Sequence, residues 1–452
     1  MAPNNLLNLC RFLAESIPAC MPQAVLDHAK MVLLDTLGVI LAGSKSQEAG
    51  RISRQVSVGC SENQGATCPG RPEKHDPLNA ALINGIAGST LEFEEGNSRA
   101  MGHPAIQIVP AIVADSESAG RSGADLLTGL IGGYEAACRI SRAASTRRGL
   151  HPTGTWGVVG SALAVGILRR GKPEELVEIA NIAASYAFSP YVKNSFVGQT
   201  VACTFAGLVN YLGLLSNTFF KNGIKADPDS FQMTFSKFVS DDFDPAALDE
   251  ELGGKYAIME NYFKPYPTCR FTHPALEALK AILIDHPIDA ADVDTVQVTS
   301  FKAAVHAGNV IPPNVEAFRF SVPYLIAAML LSGDIDLTSL TDDLLQEPRL
   351  AELAAKVELI FSPEYEQLRP ECNPAKVTIG LKDGNGISHE IMNCLGDPNN
   401  PFPQEDICRK FKMLTTPVIG ADRTDMFLNR VAKLENEEDI RSLMVLLRPA
   451  GS

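Results

Sequence analysis

Glu92, Glu94 and Glu95 place three carboxylates in the run LEFEEG, and a short polar stretch leads from there to His103-Pro104 and an apolar segment. Glycine, asparagine and serine between 96 and 102 read as a loop, so His103 stands where a loop meets a helix. An imidazole titrates near neutrality and a helix N-terminus favours anions, which suits proton transfer on a negatively charged substrate. The His-Pro pair recurs at His151-Pro152 and His273-Pro274, each ahead of an apolar run; His286-Pro287 lies in a polar connector and is set aside. Two further pieces complete the set. Lys193 sits in the irregular segment SPYVKNSFVG, and KPYPTCRFTH at 264–273 gathers Tyr266, Cys269, Arg270 and His273. Imidazoles that move protons, with Lys193 and Arg270 to hold carboxylates, would make an acid–base site for an anion. Each piece also has a plainer reading: the glutamates as a solvated loop, His103 and His151 as helix caps, Lys193 as a surface lysine, Cys269 as a small buried group. His28, His75, His306 and His389 carry no signal.

The bulk of the chain narrows the class of protein. Its 452 residues allow two to four domains, and 45% hydrophobic content is ample for real cores. A net charge of −14, with no Lys/Arg-rich run, argues against nucleic acid as a partner. Cys10, Cys20, Cys60, Cys68, Cys138, Cys203, Cys269, Cys372, Cys394 and Cys408 are scattered, with no C-x-x-C pair of the zinc or iron–sulfur kind. No signal peptide is evident, so a reduced intracellular chain is expected rather than a disulfide framework. The longest apolar run, 31–42, is broken by Asp35 and is too short to span a bilayer, which points to a soluble protein without a membrane partner. Arg11 is the only Lys or Arg before Lys30, so the expected compartment is the cytosol, with the mitochondrial matrix as the alternative.

The elements that must position the candidates follow from periodicity. Helical spacing runs from 6 to about 42, polar turn-rich sequence fills 44–77, and Asp76-Pro77 opens another apolar helix over 78–91. Helices are predicted over 104–118, 122–145, 155–169, 174–185 and 202–215; the third is so rich in glycine, alanine and serine that it suits closely approaching helices better than a phosphate loop. Beyond about Lys255 the pattern changes. Residues 292–301 alternate like a strand, 375–391 read as a hairpin about Asp-Gly-Asn-Gly, and 321–331 and 350–357 look helical between them. The predicted fold is mainly α with a smaller α/β domain: helical domain over 1–262, α/β lid over 263–393, and a return to the helical domain over 394–452.

These motifs, in this order, resemble the MmgE/PrpD family, whose members include 2-methylcitrate dehydratases, cis-aconitate decarboxylases and iminodisuccinate epimerases. The resemblance is carried by LLDTLGVILAGS at 33–44, GHPAIQIVPA at 102–111, HPTGTWGVVGSA at 151–162, KPYPTCRFTH at 264–273, RFSVPYLIAAMLLSGD at 319–334, and LGDPNNPF followed by KF at 395–411. It implies a homodimer, a helical domain with an α/β lid, an active site in the cleft between them, and no metal or organic cofactor. It also places His103, His151, Lys193 and His273 on the family's active-site positions. Glu92 falls where the family has an aspartate of a D-F-D-D-like motif, here Glu92-Phe93-Glu94-Glu95. A second departure follows Lys193: the family's K-P-x-H-x-G-x-A-A-R-like motif reads KNSFVG, keeping lysine and glycine but losing histidine and arginine.

Dehydration, decarboxylation and epimerisation all pass negative charge onto a carboxylate beside the reacting carbon, so positive groups must stabilise it. The sequence-based expectation is a cofactor-independent lyase that dehydrates a 2-methylcitrate- or alkylcitrate-like tricarboxylate. His103, His151, Lys193 and His273 would be catalytic, and Glu92, Tyr266, Cys269 and Arg270 would bind substrate. The alternatives are a cis-aconitate-type decarboxylase, an epimerase of an amino-dicarboxylate such as iminodisuccinate, and a degenerate member that only binds. The first prediction follows from the cysteine spacing and dispersed acids. Activity should persist after dialysis against a chelator, whereas activity restored only by a divalent ion would reverse that expectation.

Overall fold

The computed structural model of the protein describes residues 4–16, 20–56 and 64–449. Cys60 lies outside them, and the other nine cysteines are unpaired thiols. The fold is mainly α with a smaller α/β domain. The long helical pattern at the start resolves into two helices, Asn5–Glu15 and Gln23–Gly43, the second begun by Pro22 at its cap. The polar stretch after it contains a short helix, Gln47–Gln55, and a two-stranded pairing of 66–67 with 74–75. Asp76 then caps Pro77–Ser89 by accepting from the backbone N–H of Leu78 and Asn79 at 3.1 and 3.2 Å.

Small residues set the packing of the helical body. Helix Trp156–Leu168 is buried along its whole length. A Cβ added at Gly160 would stand 2.7 Å from the Ala137 Cβ, and one at Gly133 would stand 2.3 Å from the Ala164 Cβ. Helices Gly123–Ala143 and Trp156–Leu168 therefore meet at backbone distance. Pro77–Ser89 and Thr204–Lys221 do the same where Gly85 faces Gly207.

The second domain is built on a four-stranded sheet. In chain order its strands are β1 (Val293–Ser300), β2 (Val357–Phe361), β3 (Ala375–Leu381) and β4 (Gly386–Ile391), arranged β4–β3–β1–β2. β1 pairs antiparallel with β3, with Val296 opposite Ile379 and Val298 opposite Val377, and parallel with β2. The crossover to β2 carries helices Val322–Ser332 and Pro348–Ala354. Strand β2 has no clear sequence signal. It lies on the sheet edge and none of its side chains is fully buried, so no apolar alternation was required of it.

Two apolar cores result. One takes in residues from Leu9 to Phe263 and then Ile407 to Leu447; the other takes in Tyr266 to Ile379. A small third cluster of Val39, Phe93 and Leu414 matters most for the site. It wedges the phenylalanine of the glutamate run between helix Gln23–Gly43 and the tail helix Gln404–Ile419. No described helix is long and apolar enough to cross a membrane.

The helix crossing at Gly207 is testable. A methyl there would meet the Leu82 carbonyl oxygen at 2.5 Å and the Ile86 Cγ1 at 2.7 Å. Overpacking of this kind costs ~1–3 kcal/mol. Gly207→Ala should lower the urea midpoint accordingly, and an unchanged midpoint would mean that the helices can part freely.

Candidate active site

The glutamate run leaves helix Pro77–Ser89 and enters a two-residue strand, Gly96–Asn97, that pairs antiparallel with Asn261–Tyr262. Gly96 lies opposite Tyr262, so the same register carried outward sets Glu94 opposite Lys264. Lys264 is completely buried. Its Nζ donates to the Glu92 carbonyl oxygen at 2.8 Å and to Glu92 Oε1 at 2.9 Å, and stands 3.8 Å from Glu94 Oε2. That grip holds Glu92 at φ +50°, a backbone conformation that non-glycine residues rarely adopt.

A second buried pair secures the run from behind. Asp35 and Lys410 meet at 2.7 Å. Asp35 accepts from the Glu95 backbone N–H at 3.1 Å, and Lys410 donates to the Phe93 carbonyl at 2.9 Å. Glu95 itself accepts from the Ala105 N–H and the Tyr134 hydroxyl, both at 2.8 Å, which ties the loop to the segment after His103.

Glu92, Glu94, His103 and His151 all line a cavity of about 890 Å³, along with Tyr262, Cys269, Arg270 and Arg319. A carbonyl can only accept, so the 2.8 Å contact between His103 Nδ1 and the Glu95 carbonyl fixes the proton on Nδ1. The neutral ring then offers a lone pair at Nε2. In His151 the Thr153 N–H donates to Nδ1 at 3.2 Å, which leaves the proton of the neutral ring on Nε2. The two imidazoles thus differ in tautomer. One presents a proton acceptor at Nε2 and the other a hydrogen-bond donor there.

Burial sets the charge states. It pushes His103 down to about 4, helped by the Lys264 ammonium, and His151 down to about 4, helped by His103. Both are uncharged at neutral pH. Burial would raise Glu92, but Lys264 and His103 outweigh it and keep this carboxylate below its usual range. Glu94 rises to about 7 and Glu95 to about 8, in both cases chiefly through burial. Burial would lower Lys264, yet Glu92 and Glu94 hold it above the ordinary lysine range. Burial raises the Cys269 thiol to about 12, so it offers no thiolate at neutral pH.

Not every candidate meets at this cavity. Lys193 is exposed at the start of the short helix Lys193–Phe196, whose Ser195 and Phe196, with the preceding Val192, supply the wall. His273 is buried behind Arg270: its Nδ1 faces the guanidinium at 3.1 Å and its Nε2 faces the Thr268 carbonyl at 3.1 Å, so both nitrogens are engaged. Tyr266 packs edge-on against His273 with centroids 5.4 Å apart, away from the cavity. Arg270 does line the cavity, but its charge is matched by Asp397 and lies over the Tyr262 ring at 4.7 Å. The central cation here is Lys264, and its partners are the glutamates. The motif 264–273 contains it, but nothing in the sequence shows that it pairs with residues more than 160 positions away.

Glu92, Glu94 and His103 each offer a ligand atom, all within 4.8 Å of one another, as a divalent cation would need. The Lys264 ammonium already uses the Glu92 oxygen, so a metal ion would compete with it for the same lone pairs.

With this geometry in hand, the comparison with known proteins is decisive for the family. Residues 7–244 match the MmgE/PrpD N-terminal domain and residues 266–436 match the MmgE/PrpD C-terminal domain. The chain belongs to the MmgE/PrpD family. Its relatives include the human cis-aconitate decarboxylase, 26% identical over 448 residues, with 94% of this chain and 90% of the relative covered. The Aspergillus terreus cis-aconitate decarboxylase is 24% identical over 470 residues, with 97% and 95% covered. A cis-aconitate decarboxylase-like protein, oryM, of Aspergillus oryzae is 23% identical over 478 residues, with 97% and 96% covered. The join between the two family domains, 245–265, contains Tyr262 and Lys264, so this MmgE/PrpD site draws on both sides of it.

The buried carboxyls give a pH test. Glu95 is raised from its ordinary 4.5 to about 8, so the folded chain holds a proton that the unfolded chain has released. The stabilising contribution is complete below about 4.5 and is lost as pH rises through about 8. Glu95→Gln, which mimics the protonated acid, should therefore gain stability relative to the parent steadily from pH 5 to pH 9 in urea titrations. A difference independent of pH would show that Glu95 titrates normally.

Proposed function

We propose that this MmgE/PrpD chain is a lyase for an unsaturated tricarboxylate of the cis-aconitate type, acting by decarboxylation. The observation that carries the reading is the pair of uncharged, oppositely protonated imidazoles in one cavity with buried cations. Loss of carbon dioxide from a carbon next to a double bond sends the bonding electron pair through that double bond, and the far carbon must then take a proton. In this reading His151 gives it from Nε2, as the imidazolium formed when the bound trianion draws a proton into the site, and returns to the neutral ring. The charge that develops on the neighbouring carboxylate is stabilised by the cations of the wall. Full-length similarity to proteins named cis-aconitate decarboxylases supports the same choice and moves decarboxylation ahead of the dehydration expected from sequence.

One observation favours dehydration as a second reading. His103 offers a free Nε2 lone pair, a base that decarboxylation does not require. In a hydro-lyase it would take the carbon-bound proton while His151 protonates the departing hydroxyl.

A trianionic substrate also changes the site. Its charge offsets the burial that keeps both imidazoles neutral, so binding should draw in a proton near pH 6. Calorimetric titrations in buffers of different ionisation heat would register that uptake.

The reactions separate by product. With cis-aconitate, released carbon dioxide supports the first reading; with 2-methylcitrate, a new conjugated double bond without gas supports the second. General acid–base groups contribute ~10²–10⁴-fold, so His151→Asn should lower kcat and kcat/KM together by at least about 100-fold. A folded His151→Asn variant with near-full activity would place the proton donor elsewhere.

A further inference from the structure

The arginines around the cavity divide by whether their charge is matched. Arg99 pairs with Glu260 and Glu371, Arg142 with Glu260, Arg147 with Asp241 and Arg270 with Asp397. Arg148 is exposed. Arg319 and Arg369 fit neither group. Both line the cavity, both are at least partly buried, and among the described residues neither has a carboxylate within ion-pair distance.

Their surroundings explain how an unmatched guanidinium is tolerated. Arg319 is only 8% exposed and donates from one nitrogen to two carbonyls, those of Leu91 at 3.0 Å and Pro267 at 2.9 Å. Arg369 lies over the Phe301 ring at 4.4 Å and near the Phe271 ring at 5.4 Å, and its Nε donates to Asn373 Oδ1 at 3.3 Å. Backbone carbonyls hold the Arg319 guanidinium and ring stacking with one side-chain bond holds that of Arg369, while neither arrangement neutralises the charge. Burial depresses both, with Glu92 only partly compensating Arg319 and Glu366 only partly compensating Arg369; the same burial at Arg270 is overcome by its surroundings, Asp397 included. An arginine stays charged, so such a site is stabilised by an anion from outside.

Both are linked to the reacting groups through neighbouring residues. Arg319 holds the Leu91 carbonyl beside Glu92, and Glu92 lies within 4.8 Å of the His103 nitrogen. His103 meets the Tyr262 ring edge-on with centroids 6.4 Å apart, Tyr262 underlies Arg270, and the next residue, Phe271, faces Arg369. That chain of contacts runs from one arginine to the other through His103.

We propose that Arg319 and Arg369, both supplied by the C-terminal domain, each bind one carboxylate of the substrate and suspend it across His103 and His151. This rests on the tricarboxylate reading above and assigns the groups that recognise such a ligand. A guanidinium fork takes a carboxylate through two N–H donors, so two forks select a molecule with two separated carboxylates and leave the third for the chemistry.

The probe is propane-1,2,3-tricarboxylate, which has neither a double bond nor a hydroxyl to lose. The wild-type chain should bind it in calorimetry and melt at a higher temperature in its presence. Arg369→Gln, at the less buried position, should weaken binding about tenfold to a hundredfold, the usual size for a charge-assisted contact, and leave the unliganded melting temperature in place. Arg369→Lys should recover only part of the loss, since it keeps charge without the fork. Arg319→Gln should weaken binding as well where it folds. If the wild type binds the probe and Arg369→Gln binds it equally well, the clamp is wrong while the tricarboxylate reading stands. If the wild type neither binds this probe nor turns over any tricarboxylate, the reading of the cavity fails and the clamp with it.

Discussion

A single buried ammonium organises this site. Lys264 Nζ lies wholly inside the protein, where an unpaired charge would be prohibitive, and Glu92 and Glu94 supply its partners. The glutamate run must therefore take the path that brings both carboxylates to it, including a left-handed backbone at Glu92. His103 follows from the same constraint. It is held by the Glu95 carbonyl, and the lysine's charge helps keep its ring neutral. The nearby positive charge thus fixes the loop and also helps hold the imidazole neutral.

The Asp35–Lys410 pair has a different task. It sits on the far side of the loop and touches backbone at Glu95 and Phe93, so it braces the run without facing the cavity. Phe93, between Val39 and Leu414, adds an apolar anchor to the same loop. Loop residues that do chemistry usually need a rigid scaffold, and here the scaffold comes from a helix near the start of the chain and one near its end. A tail returning to the first core is what allows Lys410 to reach Asp35, some 375 positions away.

The division of cores also accounts for the character of the cavity. The helical domain supplies His103, His151 and the glutamates to the cavity wall, and the second domain supplies Arg319 and Arg369. The neutral imidazoles and the unmatched cations thus come from different domains. Burial makes the imidazoles neutral and leaves the guanidiniums seeking an anion, so one physical effect prepares both halves for a multiply charged substrate.

Much of this was legible in the sequence because it rests on local pattern. Apolar periodicity and the Asp76-Pro77 start pointed to the helices, alternation to one strand and the Asp-Gly-Asn-Gly turn to a hairpin of two more, and ordered motifs to the family with His103 and His151 in it. Strand β2 escaped because an edge strand with no fully buried side chain needs no apolar alternation. Lys193 illustrates a second limit: a lysine in a motif has a position along the chain, but whether its long arm enters a cleft depends on which neighbours form the wall. Arg270 and His273 illustrate a third, since their charge and nitrogens are consumed by Asp397 and Thr268. Residue type and spacing determined which groups could transfer protons or bind carboxylates. Only tertiary structure decided which charges were left unmatched, because neutralisation depends on partners that lie far away in the chain and within a few ångströms in space.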